Sequence, residues 1–180
     1  MMPSGIGHNR GPAMDDGLAW RTHCWRAVRA RLLPTLPIEV LRTRVRRAQE
    51  LGLEYKTYAS VRAATGHDVV AFLFSSNALR ARPTLPDDRV AKLRALVDCG
   101  RVALVTAPLT PDMLQSPVID AAFAAPHWLT SFSDTRRTIR AALPAPGDRV
   151  ILIGDHGLER DWCTAGRLAG YVPAALYFGS

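Results

Sequence analysis

Four short apolar runs, Val69–Phe74, Val102–Val105, Val150–Ile153 and Ala174–Phe178, recur between stretches whose apolar residues repeat at helical spacing. Runs that are apolar at every position belong to strands covered on both faces, and strands alternating with helices build a mostly parallel sheet. The pattern therefore predicts an α/β protein of three layers, helix over sheet over helix. Sheets of this kind bind ligands beyond the carboxyl ends of their strands. The residues expected there are Ser75, Ser76 and Asn77 after the first run, Thr106 after the second, and Asp155, His156 and Gly157 after the third. They form the candidate ligand- or anion-binding set.

The segments between the runs complete the expected organisation. Met1–Asp16 is rich in Gly, Pro and polar residues without periodicity and reads as a flexible arm. Cys24, Val28 and Leu32 mark a basic amphipathic helix over Gly17–Leu33, and a second runs from Pro37 through Leu41, Val45 and Ala48 to Leu51. A short helix over Lys56–Ala64 stops at Gly66. The chain thus divides into an arm (1–16), a basic helical segment (17–65) and a sheet domain (66–180). Within the last, Val90, Leu93 and Val97 predict a helix ending at Gly100, Pro111–Ala125 reads as helical, and Trp128–Phe132 as a further strand. Ser133 is placed to cap a helix carrying Ile139 and Leu143, and Leu158, Trp162, Ala165 and Ala169 mark another, leaving Ala174–Phe178 as the final strand. Trp25, Trp128 and Trp162, set among apolar neighbours, read as packing residues.

A chain of 180 residues accommodates one domain and an extension. It is 48% apolar and 22% charged, with no apolar run approaching the roughly 20 residues that span a bilayer. Met1–Pro12 lacks the apolar core of a signal peptide, and three widely spaced cysteines, Cys24, Cys99 and Cys163, suit neither a disulfide framework nor a zinc site. A cytoplasmic protein without a membrane partner is the expectation. The net charge of +7 is localised: residues 21–50 hold eight arginines against Glu39 and Glu50, a local excess of six. Such a face attracts a phosphate backbone or an acidic protein surface. The other reading is a solvated helix in a chain whose composition favours arginine, with 21 Arg against Lys56 and Lys92.

Residues 48–61 are similar to a helix-turn-helix. Ala48 and Gly52 are small enough for a tight meeting of two helices, Leu53, Tyr58 and Val61 would pack between them, and the second helix would present Tyr55, Lys56, Thr57, Ser60 and Arg62. With Arg42, Arg44, Arg46 and Arg47 these are the candidate contacts for nucleic acid or an acidic partner. An ordinary helical hairpin docked on the sheet would carry the same residues.

The order of motifs over about residues 67–178 resembles a haloacid-dehalogenase-like fold. The first strand, Val69 to Phe74 with Ser75-Ser76-Asn77-Ala78-Leu79 after it, stands where that family has two aspartates one residue apart. Val102–Val105 with Thr106 matches its strand ending in Thr or Ser, and Ile151–Ile153 with Gly154-Asp155, then Asp161, matches its strand ending Gly-Asp with a second acid. The resemblance implies Mg²⁺-assisted phosphoryl chemistry in which the first aspartate attacks phosphorus and the second moves the proton. Here Leu73 and Ser75 occupy those positions, and no lysine stands where the phosphate-holding cation is expected, with Arg136 or Arg137 as the available substitutes. Aspartyl-phosphate catalysis is therefore expected to be lost.

Weaker constellations remain. Ser75 or Ser76 with His67 or His156 and Asp155 lacks the G-x-S-x-G elbow of a hydrolytic triad, and Asp155–His156 is a single pair without further metal ligands. Gly154 and Gly157 at a strand–helix junction would bring backbone N–H groups to an anion, but no G-x-G-x-x-G marks a dinucleotide site. The expectation is a non-catalytic binding protein without a cofactor, its basic helices contacting nucleic acid or an acidic protein surface and its sheet domain serving as scaffold or small-anion sensor. The alternatives are a Mg²⁺-dependent phosphohydrolase built on Asp155, Asp161, Thr106 and Ser75, or an accessory subunit of a larger assembly.

Overall fold

The computed structural model of the protein describes residues 36–82, 84–114 and 116–179. The arm, the first basic helix, Cys24 and Trp25 lie outside the described residues. The chain separates into a unit of residues 1–41, described from residue 36 onward, and a unit of residues 42–180.

Five strands, β1 (Ala71–Ser75), β2 (Gly100–Val105), β3 (Ala121–Ala124), β4 (Val150–Gly154) and β5 (Gly170–Pro173), form one sheet in the order β3-β2-β1-β4-β5. Every pairing is parallel. The apolar runs serve two cores at once because successive side chains of a strand point to opposite faces. Phe72, Phe74, Ala103, Val105, Ile151 and Ile153 face one core, while Ala71, Leu73, Val102, Leu104, Val150 and Leu152 face the other. The α/β three-layer expectation is met.

Helices α1 (Ile38–Glu50), α2 (Tyr55–Thr65), α3 (Asp87–Arg94) and the short C-terminal α6 (Ala174–Phe178) supply the first face through Ala48, Tyr58, Val61, Leu93 and Tyr177, with Leu51 from the turn after α1. Helices α4 (Phe132–Ala141) and α5 (Glu159–Gly166) supply the second through Ile139 and Trp162. The α1–α2 pair is thus a hairpin docked on the sheet. Gly52 closes its turn at φ +61°, a left-handed conformation that glycine adopts without a Cβ penalty. Arg47 fastens the hairpin to the sheet: it donates to Asp68, Glu50 and the carbonyls of Val69, Val97 and Asp98 at 3.0–3.2 Å. Burial costs this guanidinium, but Glu50 and Asp68 more than offset the cost and hold its pKa above the ordinary value.

Three segments depart from the sequence expectation. Pro111–Ala125 is not a helix: a single 3-10 turn, Pro111–Met113, precedes the edge strand β3. Pro117 interrupts any helical ladder, and parallel pairing of Val102 with Ala121 satisfies the backbone instead. Trp128–Phe132 is not a strand but a turn into α4, whose cap is Ser131 and not Ser133: the Ser131 Oγ accepts the Asp134 N–H at 3.2 Å. Ala174–Phe178 is not a strand but α6, because Pro173 lacks the N–H to continue a ladder while Ala174 and Tyr177 share one buried helical face.

Candidate functional site

The sheet order runs outward from β1 in one direction through β2 and β3, and in the other through β4 and β5. The chain therefore reverses direction at β1, and in open parallel sheets a crevice forms at the carboxyl ends beside such a reversal. Ser76, Asn77, Thr106, Asp155 and His156 do converge there. The Ser76 hydroxyl accepts the Thr106 N–H at 3.0 Å and lies 2.8 Å from the Thr106 hydroxyl, joining the ends of β1 and β2. A cavity of about 470 Å³ opens beside them, lined by Ser76, Asn77, Arg80, Ala81, Arg82, Asp155 and His156.

Ser75 is withdrawn from this cavity. It is fully buried, and its hydroxyl accepts the Ala78 N–H at 3.0 Å, closing the turn that follows β1. Leu73 lies two residues inside the strand with no exposed surface. The residues that emerge from β1 are therefore Ser76 and Asn77, neither of them acidic.

Sequence reasoning missed the acid that does reach the strand ends. Glu159, the first residue of α5, is completely buried. One carboxylate oxygen accepts the Asn77 side-chain amide at 2.8 Å; the other accepts the backbone N–H groups of Asp155 at 2.8 Å and His156 at 3.3 Å. The backbone donors expected to receive an external anion thus receive one from the chain itself. Gly154 makes room for it, since a Cβ there would stand 2.6 Å from the Glu159 carboxylate and 2.6 Å from the Tyr171 ring. The readable signal was a Gly-Asp strand end with an acid four residues after the aspartate.

Asp155 and Asp161 do not meet. Asp155 borders the carboxyl-edge cavity, whereas Asp161 lines a second cavity of about 290 Å³ with His127, Trp128, Phe132 and Trp162. Among the described residues no three His, Cys, Asp or Glu side chains approach closely enough to hold a metal ion. With Ser75 engaged by the Ala78 N–H and Asp155 and Asp161 on different cavities, the donors that the resemblance implies do not fit a Mg²⁺ site. Trp162 packs inside as expected, but Trp128 is 41% exposed and lies outside, its ring stacked on that of Trp162 with centroids 5.3 Å apart.

Positive charge gathers at the carboxyl edge. Arg80 and Arg82 line the cavity together with Asp155, and buried Arg89 lies close enough to feel both Arg80 and Asp155. Burial lowers the Arg89 pKa, Asp88 counters this, and Arg80 adds to the lowering. Arg80 holds a left-handed backbone, φ +51°, a conformation that costs a non-glycine residue of the order of 1 kcal/mol.

The candidate contacts on the hairpin separate by exposure. Arg42, Arg46, Lys56 and Ser60 are exposed, while Arg44, Tyr55, Thr57 and Arg62 are half-buried. Arg47 is committed to the hairpin–sheet junction, and Arg62 lies 3.4 Å from the Tyr58 hydroxyl and 3.7 Å from Asp68. No helix among the described residues is long and apolar enough to cross a membrane. No family model matches the chain, and no curated protein or solved structure is significantly similar to it.

Proposed function

We propose that the protein is a non-catalytic binding protein whose carboxyl-edge cavity takes a small phosphate-type anion. The observation that carries this reading is the pair Arg80 and Arg82 on a cavity beside the chain reversal, with Asp155 as the only carboxylate among its lining residues. The carboxylate of Glu159 is fully buried, bonded by three donors, and not among the residues that line the cavity. A degenerate haloacid-dehalogenase-like domain that has kept its crevice and lost its nucleophile accounts for such a cavity.

Calorimetric titration of inorganic pyrophosphate tests the reading. Binding to the parent chain and at least about tenfold weaker binding to Arg80→Ala and Arg82→Ala are expected, each substitution removing one charge-assisted contact. Equal affinity in parent and variants would refute it. Mg²⁺-dependent phosphate release from an aryl phosphate, abolished in Asp155→Asn, would establish the phosphohydrolase in its place.

A second reading rests on the outward face of the hairpin, where Arg42, Arg46 and Lys56 are exposed. That face suits nucleic acid or an acidic protein surface, with Arg47 excluded because the fold employs it. Binding of duplex DNA that falls steeply with salt and weakens on removal of Arg42, Arg44 and Arg46 would support it; salt-independent association would exclude it.

A further inference from the structure

The two cavities at the carboxyl end of the sheet adjoin. His156 lines the arginine cavity, and its ring centroid lies 5.6 Å from that of Trp128, which lines the aromatic one. The His156 Nδ1 accepts the Leu158 N–H at 3.3 Å, which fixes the ring where the two cavities meet. One cavity is cationic and the other is walled by Trp128, Trp162 and Phe132, with Asp161 and Thr164 offering polar atoms at its margin. Trp128 is 41% exposed and Phe132 59% exposed, although aromatic side chains of this size ordinarily gain most by burial. Partly exposed Trp128 and Phe132 beside a site of positive charge match a ligand that carries a flat ring at one end and an anion at the other.

We propose that the aromatic cavity receives the ring of a phosphate-bearing aromatic ligand with the chemistry of a nucleoside monophosphate. Its phosphate lies between Arg80 and Arg82 and its linking sugar passes His156; the proposal rests on the anion reading above. Stacking of a base on tryptophan or phenylalanine is tolerant of base identity, so the site selects a ring joined to a phosphate and not one particular base. Asp161 accepts from an exocyclic amino group at the ring edge.

Calorimetric titration of the full chain with adenosine 5′-monophosphate, ribose 5-phosphate and inorganic phosphate tests the proposal. The nucleotide is expected to bind at least about tenfold more tightly than ribose 5-phosphate. Trp128→Ala and Phe132→Ala should each reduce that margin severalfold while leaving ribose 5-phosphate affinity unchanged, and Arg80→Ala should weaken all three probes. Circular dichroism confirms folding of each variant, and the more exposed Phe132 keeps the test open if Trp128→Ala is unstable. Equal affinity for nucleotide and sugar phosphate overturns the proposal and leaves the anion reading intact. A nucleotide margin that survives in folded ring variants also overturns it. Failure of all three probes to bind removes both.

Discussion

Glu159 carries a carboxylate that the fold hides from water and satisfies with three donors on two different segments. A carboxylate accepts at both oxygens, whereas a carboxamide accepts at one and would turn a donor toward either Asn77 or the Asp155 N–H. Glu159→Gln should therefore cost about 1–3 kcal/mol, read from urea unfolding, and a change below about 0.5 kcal/mol would show that the clamp is dispensable. Cys99 illustrates the opposite use of burial. Partial burial pushes its thiol up to about 12, against the lowering pull of Arg47 and Arg101. Since the thiolate is the reactive form, peptide mapping after iodoacetamide treatment at pH 8 should find Cys99 unmodified in the folded protein and alkylated in urea; rapid alkylation of the folded chain would contradict this burial. At this scale the sequence named Ser76, Asn77, Asp155 and His156 of the crevice but neither Arg80 and Arg82 in its lining nor the Glu159 anchor behind it. Spacing shows which residues share a strand end, but not which carboxylate turns inward.

Elements were legible where apolar runs were long and central, and illegible at the edges of the sheet. Strands β1, β2 and β4 are buried on both faces, so each shows as an unbroken apolar run. Edge strand β3 has only β2 beside it and carries half-buried and exposed residues, which leaves alanines that suit a helix equally well. What holds its entry is polar: Arg101 donates to Asp120 through its backbone N–H at 2.7 Å and through its guanidinium at 2.8 Å. Burial raises the Asp120 pKa, but the bonds and charge of Arg101 outweigh it and leave the carboxyl below its usual value. A depressed folded-state pKa stabilises the fold above the unfolded value near 3.9 and ceases to do so as pH falls through the folded value. The partly exposed pair is worth at most about 1 kcal/mol after solvent screening. Unfolding free energies of the parent and Asp120→Asn should differ near pH 6 and converge as pH falls through the lowered folded-state value. A constant difference across that range would mean that the carboxylate's charge is not what ties β3 to β2.

At the scale of the whole molecule, the strand order places the chain reversal at β1, and this topology brings residues about 30 and 80 positions apart, Thr106 and Asp155, to the crevice of Ser76 and Asn77. Alternation of apolar runs with helices foretold the layers; the strand order came only with the coordinates, because runs do not state their neighbours. The first apolar run extends from Val69 to Phe74, whereas β1 spans Ala71–Ser75. The account stands on the carboxyl edge binding an anion without transforming it. Amide chemical shifts in a ¹⁵N-labelled sample titrated with inorganic phosphate measure this directly. Shifts confined to residues 76–82 and 155–157 are the predicted result, and a spectrum unchanged there, or perturbed only on the α1–α2 hairpin, would contradict it.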